Sequence, residues 1–125
     1  MMPRDAVLID NPALKDLPFS PAVRAGELTY LSGQVGLDPA TGKLAEGAGA
    51  QTAQALDNVA AVAKAAGKSL DDVVKANVFI VDMADYAAVN EAYAKGFAKP
   101  FPARTCVAVA ALPLGARVEI EVILR

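Results

Sequence analysis

Histidine and tryptophan are absent from this chain of 125 residues, and cysteine occurs once, as Cys106. Without histidine, neither a Ser-His-Asp triad nor a Cys-His pair can form, and no His-ligated metal site is possible. A single cysteine cannot form an internal disulfide or a thiolate zinc site. We therefore expect no metal, and acid–base chemistry must rely on carboxylates, lysine, tyrosine, Cys106 or bound water.

Other missing features narrow the class of protein. No run of about 18 apolar residues occurs, which predicts no membrane span, and the first residues lack the apolar core of a secretory signal. A net charge of −2 disfavours a nucleic-acid partner, because binding to phosphates requires clustered Lys and Arg. The two familiar glycine-rich phosphate loops are also missing. With one cysteine, the reducing cytoplasm is the expected location.

The composition present is that of a soluble globular protein. Hydrophobic residues make up 54% of the chain and charged residues 21%, which is close to the average for folded domains. The length allows one hydrophobic core. We expect a single domain over residues 1–125.

Hydrophobic periodicity predicts six strands and two helices. The expected strands cover residues 7–9, 22–24, 28–31, 73–81, 104–110 and 118–124, and the expected helices cover residues 50–66 and 82–97. Gly67 should end the first helix, and residues 38–42 should form a turn. On the second helix Tyr86, Val89, Tyr93 and Phe97 share one face, which is most simply core.

This element order indicates an α+β fold in which both helices pack on one face of a mixed β-sheet. The strands are rich in Ala and Val and carry few charges. The other sheet face therefore also needs a cover, and we expect a partner subunit to provide it.

Charged side chains in the last two strands are candidates for chemistry. Glu119 alternates with Val118 and Ile120, so its carboxylate lies on the polar face of its strand with Glu121 and Arg117. A solvated strand face with an Arg117 salt bridge would give the same pattern. Arg104 and Cys106 lie two residues apart and share a face; Arg104 alone would be read as a surface residue, and Cys106 as a small buried hydrophobe.

Five segments, in this order and spacing, resemble the Rid (reactive intermediate deaminase, or YjgF-like) family over nearly the whole chain. They are Pro18-Phe19-Ser20-Pro21-Ala22 with Gly26; Ser32-Gly33-Gln34 with Asp38-Pro39 and Thr41-Gly42; Leu56-Asp57-Asn58-Val59; Val78-Phe79 with Asp85-Tyr86 and Val89-Asn90; and Pro102-Ala103-Arg104-Thr105-Cys106-Val107 with Leu112-Pro113 and Val118-Glu119-Ile120-Glu121. The resemblance implies a chorismate-mutase-like fold and a homotrimer with an active site in each subunit interface. It also implies hydrolysis of 2-imino or enamine acids, such as 2-aminoacrylate, to 2-keto acids and ammonia.

The same resemblance implies roles for individual residues. Arg104 matches the arginine that binds the substrate carboxylate, and Glu119 matches the glutamate that manages the attacking water. Pocket-lining positions are matched by Ser32, Gly33, Asn90 and Cys106, and Phe19 stands where the family commonly has tyrosine, so the aromatic wall is kept without its hydroxyl. No cofactor is implied, because an imine carbon is already electrophilic.

These residue types suit the reaction. The planar donor fork of Arg matches a carboxylate, and holding the carboxylate fixes the imine carbon in space. A carboxylate that hydrogen-bonds water can orient it, accept its proton and return the proton to nitrogen. Without histidine to generate a thiolate, Cys106 is not expected to act as a nucleophile.

Three other functions stay open at this point. One is a catabolic-pathway deaminase with a different substrate specificity, and another is a non-catalytic module of the same fold that binds small 2-keto or other carboxylic acids. Binding needs only Arg104, so the pairing with Glu119 favours catalysis. Ribonuclease activity is the least favoured, given the net charge of −2 and the lack of histidine.

Overall fold

The computed structural model describes residues 4–9 and 16–125. Its strands are β1 (Asp5–Ala6), β2 (Ala22–Ala25), β3 (Leu28–Leu31), β4 (Gln34–Val35), β5 (Leu37–Asp38), β6 (Lys43–Leu44), β7 (Val73–Ile80), β8 (Ala103–Ala108) and β9 (Val118–Leu124). The α-helices are α1 (Ala48–Ala65) and α2 (Tyr86–Lys95), and short 3₁₀ turns occupy Leu70–Asp72, Met83–Asp85 and Pro113–Gly115.

The main sheet of the described residues is mixed, as predicted. Its strand order is β1-β2-β3-β9-β7-β8, and β4 pairs with β9 beyond the end of β3. The β7–β8 pair is parallel and is connected through α2, whereas the other pairs are antiparallel. Strands β5 and β6 form a separate hairpin, which contains the predicted turn at residues 38–42.

The core lies between this sheet and the two helices. Every second residue of β9 is buried, and Val118, Ile120, Val122 and Leu124 are no more than 2% exposed. The inner face of α1 covers them, with its buried residues Ala55, Leu56, Val59 and Ala63 among others. Helix α2 packs beside α1 through Val89 and Tyr93. Both helices therefore lie on one face of the sheet, as predicted.

The end of α1 follows the predicted glycine signal. Gly67 has a φ of 76°, its N–H donates to the Lys64 carbonyl at 2.9 Å, and the Lys68 N–H donates to the Ala63 carbonyl at 2.8 Å. This pair of bonds is the Schellman motif. The Arg24 guanidinium donates to the Ala66 carbonyl at 2.8 Å, so a neighbouring strand also satisfies the helix end. Neither α-helix of the described residues is long and apolar enough to span a membrane.

Several predicted boundaries were wrong. The first strand is Asp5–Ala6 rather than residues 7–9, because pairing with β2 sets its register and Asp5 lies opposite Arg24. The second helix begins at Tyr86 rather than residue 82, since the Asp82 carboxylate accepts the Ala84 N–H at 2.9 Å and caps a 3₁₀ turn first. It ends at Lys95, not residue 97.

Four other strands differ from expectation. Strand β8 covers Ala103–Ala108 rather than residues 104–110, because its register with β7 ends where β7 ends, with Ala108 opposite Ile80. The short strands β4, β5 and β6 were not predicted. Each contains only two residues, which is too few to show the alternation of apolar and polar residues that indicates a strand.

A tight contact holds the segment between β4 and β5 against α1. The Asn58 side-chain amide donates to the Val35 and Leu37 carbonyls at 3.0 and 2.9 Å. Between them, Gly36 lies so close to α1 that an added Cβ would stand 2.5 Å from the Gln51 carbonyl oxygen and 2.6 Å from its Cα. Both neighbours are backbone atoms, so they cannot turn aside as a side chain could.

We predict that Gly36→Ala lowers the free energy of unfolding by about 1–3 kcal/mol, the usual cost of overpacking. The matched control is Gly49→Ala in α1, where a new Cβ would lie 3.7 Å from its nearest neighbour. This control should raise stability by roughly 0.5–1 kcal/mol, because alanine restricts the unfolded chain. Urea denaturation at one fixed protein concentration measures both changes, and equal midpoints for the two variants would contradict the packing argument.

Candidate functional site

Arg104 lies on the edge strand β8, with its side chain on the sheet face that carries the helices. Its Nη2 donates to the Asn90 side-chain oxygen at 2.7 Å and to the Tyr86 hydroxyl at 3.3 Å. The guanidinium carbon also lies 4.8 Å from the Tyr93 ring centroid and 5.7 Å from the Tyr86 ring centroid, within the range of cation–π attraction. One surface of α2 thus holds this cation in place.

The guanidinium lies beside a small, mostly apolar pocket of about 260 Å³. The pocket is lined by Asn90, Tyr93, Ala94, Phe101, Pro102 and Arg104. Burial raises the pKa of the Tyr93 phenol, and the nearby Arg104 charge opposes part of that rise. Tyr93 is therefore a neutral ring beneath the cation, and its enclosed hydroxyl has no hydrogen-bond partner among the described residues.

Cys106 lies on the same side of β8 as Arg104, as predicted. It pairs in register with Val78 and packs partly buried against the core. Burial raises the pKa of its thiol, and the Arg104 charge lowers it by a smaller amount. The side chain is thus a protonated thiol at neutral pH, which agrees with the expectation that it is not a nucleophile.

Glu119 lies on the opposite sheet face, between Val35 of β4 and Phe79 of β7. Its carboxylate lies against Gly33, where an added Cβ would stand 2.8 Å from the Glu119 carboxyl carbon and 2.9 Å from Oε2. Burial raises the pKa of this carboxyl, and the charge of Glu121 raises it further. Gly33 therefore permits a close approach, and the carboxylate is more basic than an exposed glutamate.

The alternative of a salt bridge between Arg117 and Glu119 is not found. Arg117 instead donates to the Asp85 carboxylate at 2.7 and 3.0 Å. Glu121 accepts from the Asn77 side-chain amide at 3.1 Å. Both neighbours of Glu119 on its strand face thus have other partners.

Phe19 and Ser32 lie on the same open face as Glu121. Together with Asn77 they line a shallow hollow of about 550 Å³. The Ser32 hydroxyl donates to the Ser20 carbonyl at 2.6 Å, which holds the Phe19 segment beside β3, and Phe19 itself is 54% exposed.

The predicted site residues therefore form two groups that do not meet within one chain. Across the strands, Arg104 is in register with Ala76 and Val122, whereas Glu119 is in register with Phe79 and Val107. Since Ala76 and Phe79 are three residues apart, they point to opposite faces. β8 and β9 are also separated by β7, a distance of roughly 9.5 Å. Asn90 and Cys106 belong with Arg104, while Phe19, Ser32 and Gly33 lie on the face of Glu119.

One neighbour of the site is not evident from the sequence. The helical pattern groups Tyr86 with the core residues Val89, Tyr93 and Phe97, but Tyr86 is 39% exposed and contacts Arg104. The spacing from Tyr86 to Asn90 to Tyr93 places all three on one helix stripe. Two phenols and an amide on one stripe of a helix suit a neighbouring cation. The sequence does not show which strand α2 covers, so it does not identify that cation as Arg104.

The comparisons with known proteins extend over nearly all of the chain. A family model described as endoribonuclease L-PSP matches residues 11–125. A protein from Capra hircus named 2-iminobutanoate/2-iminopropanoate deaminase is 49% identical over 107 residues, which are 85% of this chain and 78% of that protein.

Solved structures give the same result. The crystal structure of RidA from the Antarctic bacterium Psychrobacter sp. PAMC 21119 superposes with a TM-score of 0.83 at 45% identity, covering 96% of this chain and 93% of that one. TdcF from E. coli, crystallised with bound serine, superposes with a TM-score of 0.82 at 35% identity, covering 99% and 94%. On this sequence and structural similarity, the chain belongs to the endoribonuclease L-PSP family, also called the Rid or YjgF-like family.

Proposed function

We propose that this protein is a hydrolytic deaminase that converts reactive 2-imino and enamine acids, 2-aminoacrylate among them, to 2-keto acids and ammonia. The observation that carries the proposal is the Arg104 guanidinium, which Asn90 and Tyr93 hold beside a small pocket. A relative at 49% identity bears the name of a deaminase of 2-imino acids, and a structural neighbour binds serine, a small amino acid. Both names suit a small carboxylate substrate.

Arg104 binds the substrate carboxylate. Its Nη2 donates to Asn90 and, over a longer distance, to Tyr86, whereas Nε and Nη1 make no hydrogen bond among the described residues, so donors remain for a ligand. A guanidinium that is already held in one orientation loses little further freedom on binding. The substrate's C=N carbon is then fixed relative to the protein, and positioning of this kind can contribute several kcal/mol to lowering the barrier.

Glu119 acts on the water. It accepts a proton as the water oxygen bonds to the imine carbon, and it returns that proton to nitrogen. The tetrahedral intermediate then collapses: its hydroxyl proton passes through Glu119 to the nitrogen, the C=O bond forms and the C–N bond breaks, which releases ammonia and the 2-keto acid. The raised pKa of Glu119 makes it a stronger base than an exposed carboxylate.

These two roles require a site shared between subunits. Arg104 and Glu119 lie on opposite faces of one sheet, so a substrate that touches both must lie between Arg104 and Glu119 of the partner subunit. A closed ring of identical subunits provides this arrangement at every interface.

We propose the chorismate-mutase-like homotrimer, in which the open sheet faces pack together and cover apolar side chains such as Val107, which is 43% exposed in the protomer. Phe19, Ser32 and Gly33 then line the same interface. The backbone carbonyl of Cys106 contacts the substrate or the water there.

A binding module without catalysis is the second candidate. It is favoured by one observation: the residues that line the pocket beside Arg104 come from one protomer, and Glu119 is not among them. A deaminase of different substrate specificity would use the same residues. An RNA substrate is not supported, because the chain carries a net charge of −2 and has no histidine.

The first test concerns Arg104. Arg104→Lys keeps the charge but loses the planar donors and the contact with the Tyr93 ring, so imine hydrolysis and 2-keto-acid binding should both fall at least tenfold. Hydrolysis is measured by generating imines in situ with an amino-acid oxidase or a Ser/Thr dehydratase and timing keto-acid release. Turnover like that of the wild type would show that another group binds the carboxylate.

The second test separates enzyme from binding module. Glu119→Gln removes the base, so turnover should fall about 10²–10⁴-fold, while calorimetry shows 2-keto-acid binding retained. In the wild type, kcat/KM should decrease as the pH falls through the raised pKa of Glu119, because only the carboxylate accepts a proton. Glu121→Gln is the control: it should keep most of the activity, with the acidic limb moved to lower pH, because the Glu121 charge no longer raises the pKa of Glu119. A wild type that binds keto acids but never turns over imines would favour the binding module.

The third test concerns the shared site. Chains carrying Arg104→Lys and chains carrying Glu119→Gln are co-expressed, and each is also expressed alone. If every site takes Arg104 from one subunit and Glu119 from the next, random assortment restores about a quarter of the sites. Sites contained within one chain would give no recovery. Light scattering on these samples should give about three times the chain mass of 12.9 kDa.

A further inference from the structure

Tyr86 is an exposed phenol beside the guanidinium of Arg104, and no role has so far been given to it. We infer that the Tyr86 hydroxyl donates a hydrogen bond to the carboxylate that Arg104 binds, so that the two side chains form one carboxylate-binding unit. The inference rests on the proposed function only in taking a carboxylate as the ligand of Arg104. It adds a substrate-binding residue from α2 to the site.

The hydroxyl proton of Tyr86 is not used in its hydrogen bond with Arg104. The Tyr86 oxygen accepts from Arg104 Nη2 at 3.3 Å, and a guanidinium offers no acceptor in return. The hydroxyl hydrogen must therefore point away from Arg104. In the described part of the chain, this hydroxyl makes no other hydrogen bond, so its proton is available to a ligand.

The lengths of the two Nη2 bonds indicate which one a ligand displaces. The bond to Asn90 measures 2.7 Å and the bond to Tyr86 measures 3.3 Å. The longer distance exceeds the usual range for an N–H···O bond, and a carboxylate is a stronger acceptor than a phenol. An incoming carboxylate thus takes the Nη2 hydrogen that now points to Tyr86. It then has two guanidinium nitrogens as donors, and the phenol beside it changes from acceptor to donor.

The surroundings of Tyr86 keep it in this position. It is the first residue of α2, directly after Asp85, whose carboxylate is held by the Arg117 guanidinium at 2.7 Å. The Tyr86 ring also lies 5.7 Å from the Arg104 guanidinium carbon. The phenol is therefore fixed at its backbone and at its ring, while 39% of the residue remains exposed to an approaching ligand.

The other aromatic residues near the site cannot take this role. The Tyr93 hydroxyl is enclosed and does not reach the surface. Phe101, which lines the pocket beside Arg104, has no hydroxyl. Tyr86 is thus the phenol from which a bound carboxylate next to Arg104 can accept a hydrogen bond.

The experiment compares Tyr86→Phe with the wild type, using the full chain in its native assembly. Phenylalanine keeps the ring and removes only the hydroxyl, so the fold should be unaffected. We expect the Kd for pyruvate, measured by calorimetry, to rise about tenfold, as for loss of a hydrogen bond to a charged group. The KM for the imine should rise by a similar factor, with kcat within about twofold of the wild type because the water and its base are untouched.

Unchanged pyruvate affinity in Tyr86→Phe would overturn the inference. A crystal structure of the wild type with pyruvate separates direct contact from mere support of Arg104. The Tyr86 oxygen within 3.0 Å of a carboxylate oxygen supports donation, whereas a carboxylate bound to Arg104 out of its reach overturns it. If the wild type binds pyruvate through Tyr86 and yet hydrolyses no imine, the proposed deaminase function fails while this inference stands.

Discussion

The alternation of side chains along β8 and β9 is the constraint on which the candidate site depends. Helix α1 buries Val118, Ile120 and Val122 of β9, and a strand with one buried face must place the residues between them on the other face. Glu119 therefore points away from the helices. The parallel pairing of β7 with β8 fixes which residues of β8 point to each face of the sheet, so Arg104 points toward the helices. A shift of one residue in either register would exchange these faces and expose the core.

This constraint explains why each group is built differently. The Arg104 group lies where the edge strand meets α2, so a helix stripe of Tyr86, Asn90 and Tyr93 is available to hold the cation. The Glu119 group lies on a sheet face that the helices do not cover. There the Glu119 carboxylate lies against the backbone of Gly33, and the neighbouring Glu121 charge raises its pKa. A cation is thus stabilised by rings and amides, and a carboxylate is made more basic by partial burial.

The separation of the groups also links the proposed chemistry to assembly. Within one protomer, the pocket beside Arg104 does not include Glu119. The proposed hydrolysis needs both groups and therefore a second subunit, whereas the contacts of Arg104 with Asn90 and Tyr93 are made within one chain.

Much of the fold followed from local patterns in the sequence, and the candidate residues followed from its resemblance to the Rid family. Period-two burial in β9, the apolar stripe of α1 and the Gly67 stop signal each depend on neighbours along the chain, and the structure confirmed them. Boundaries at Asp5–Ala6 and Tyr86 depended instead on which strand pairs with β1 and on the cap at Asp82. Only the tertiary structure placed Arg104 and Glu119 on opposite faces and brought Tyr86 to Arg104, because both facts follow from strand order and helix packing between residues far apart in sequence, and no local periodicity records these.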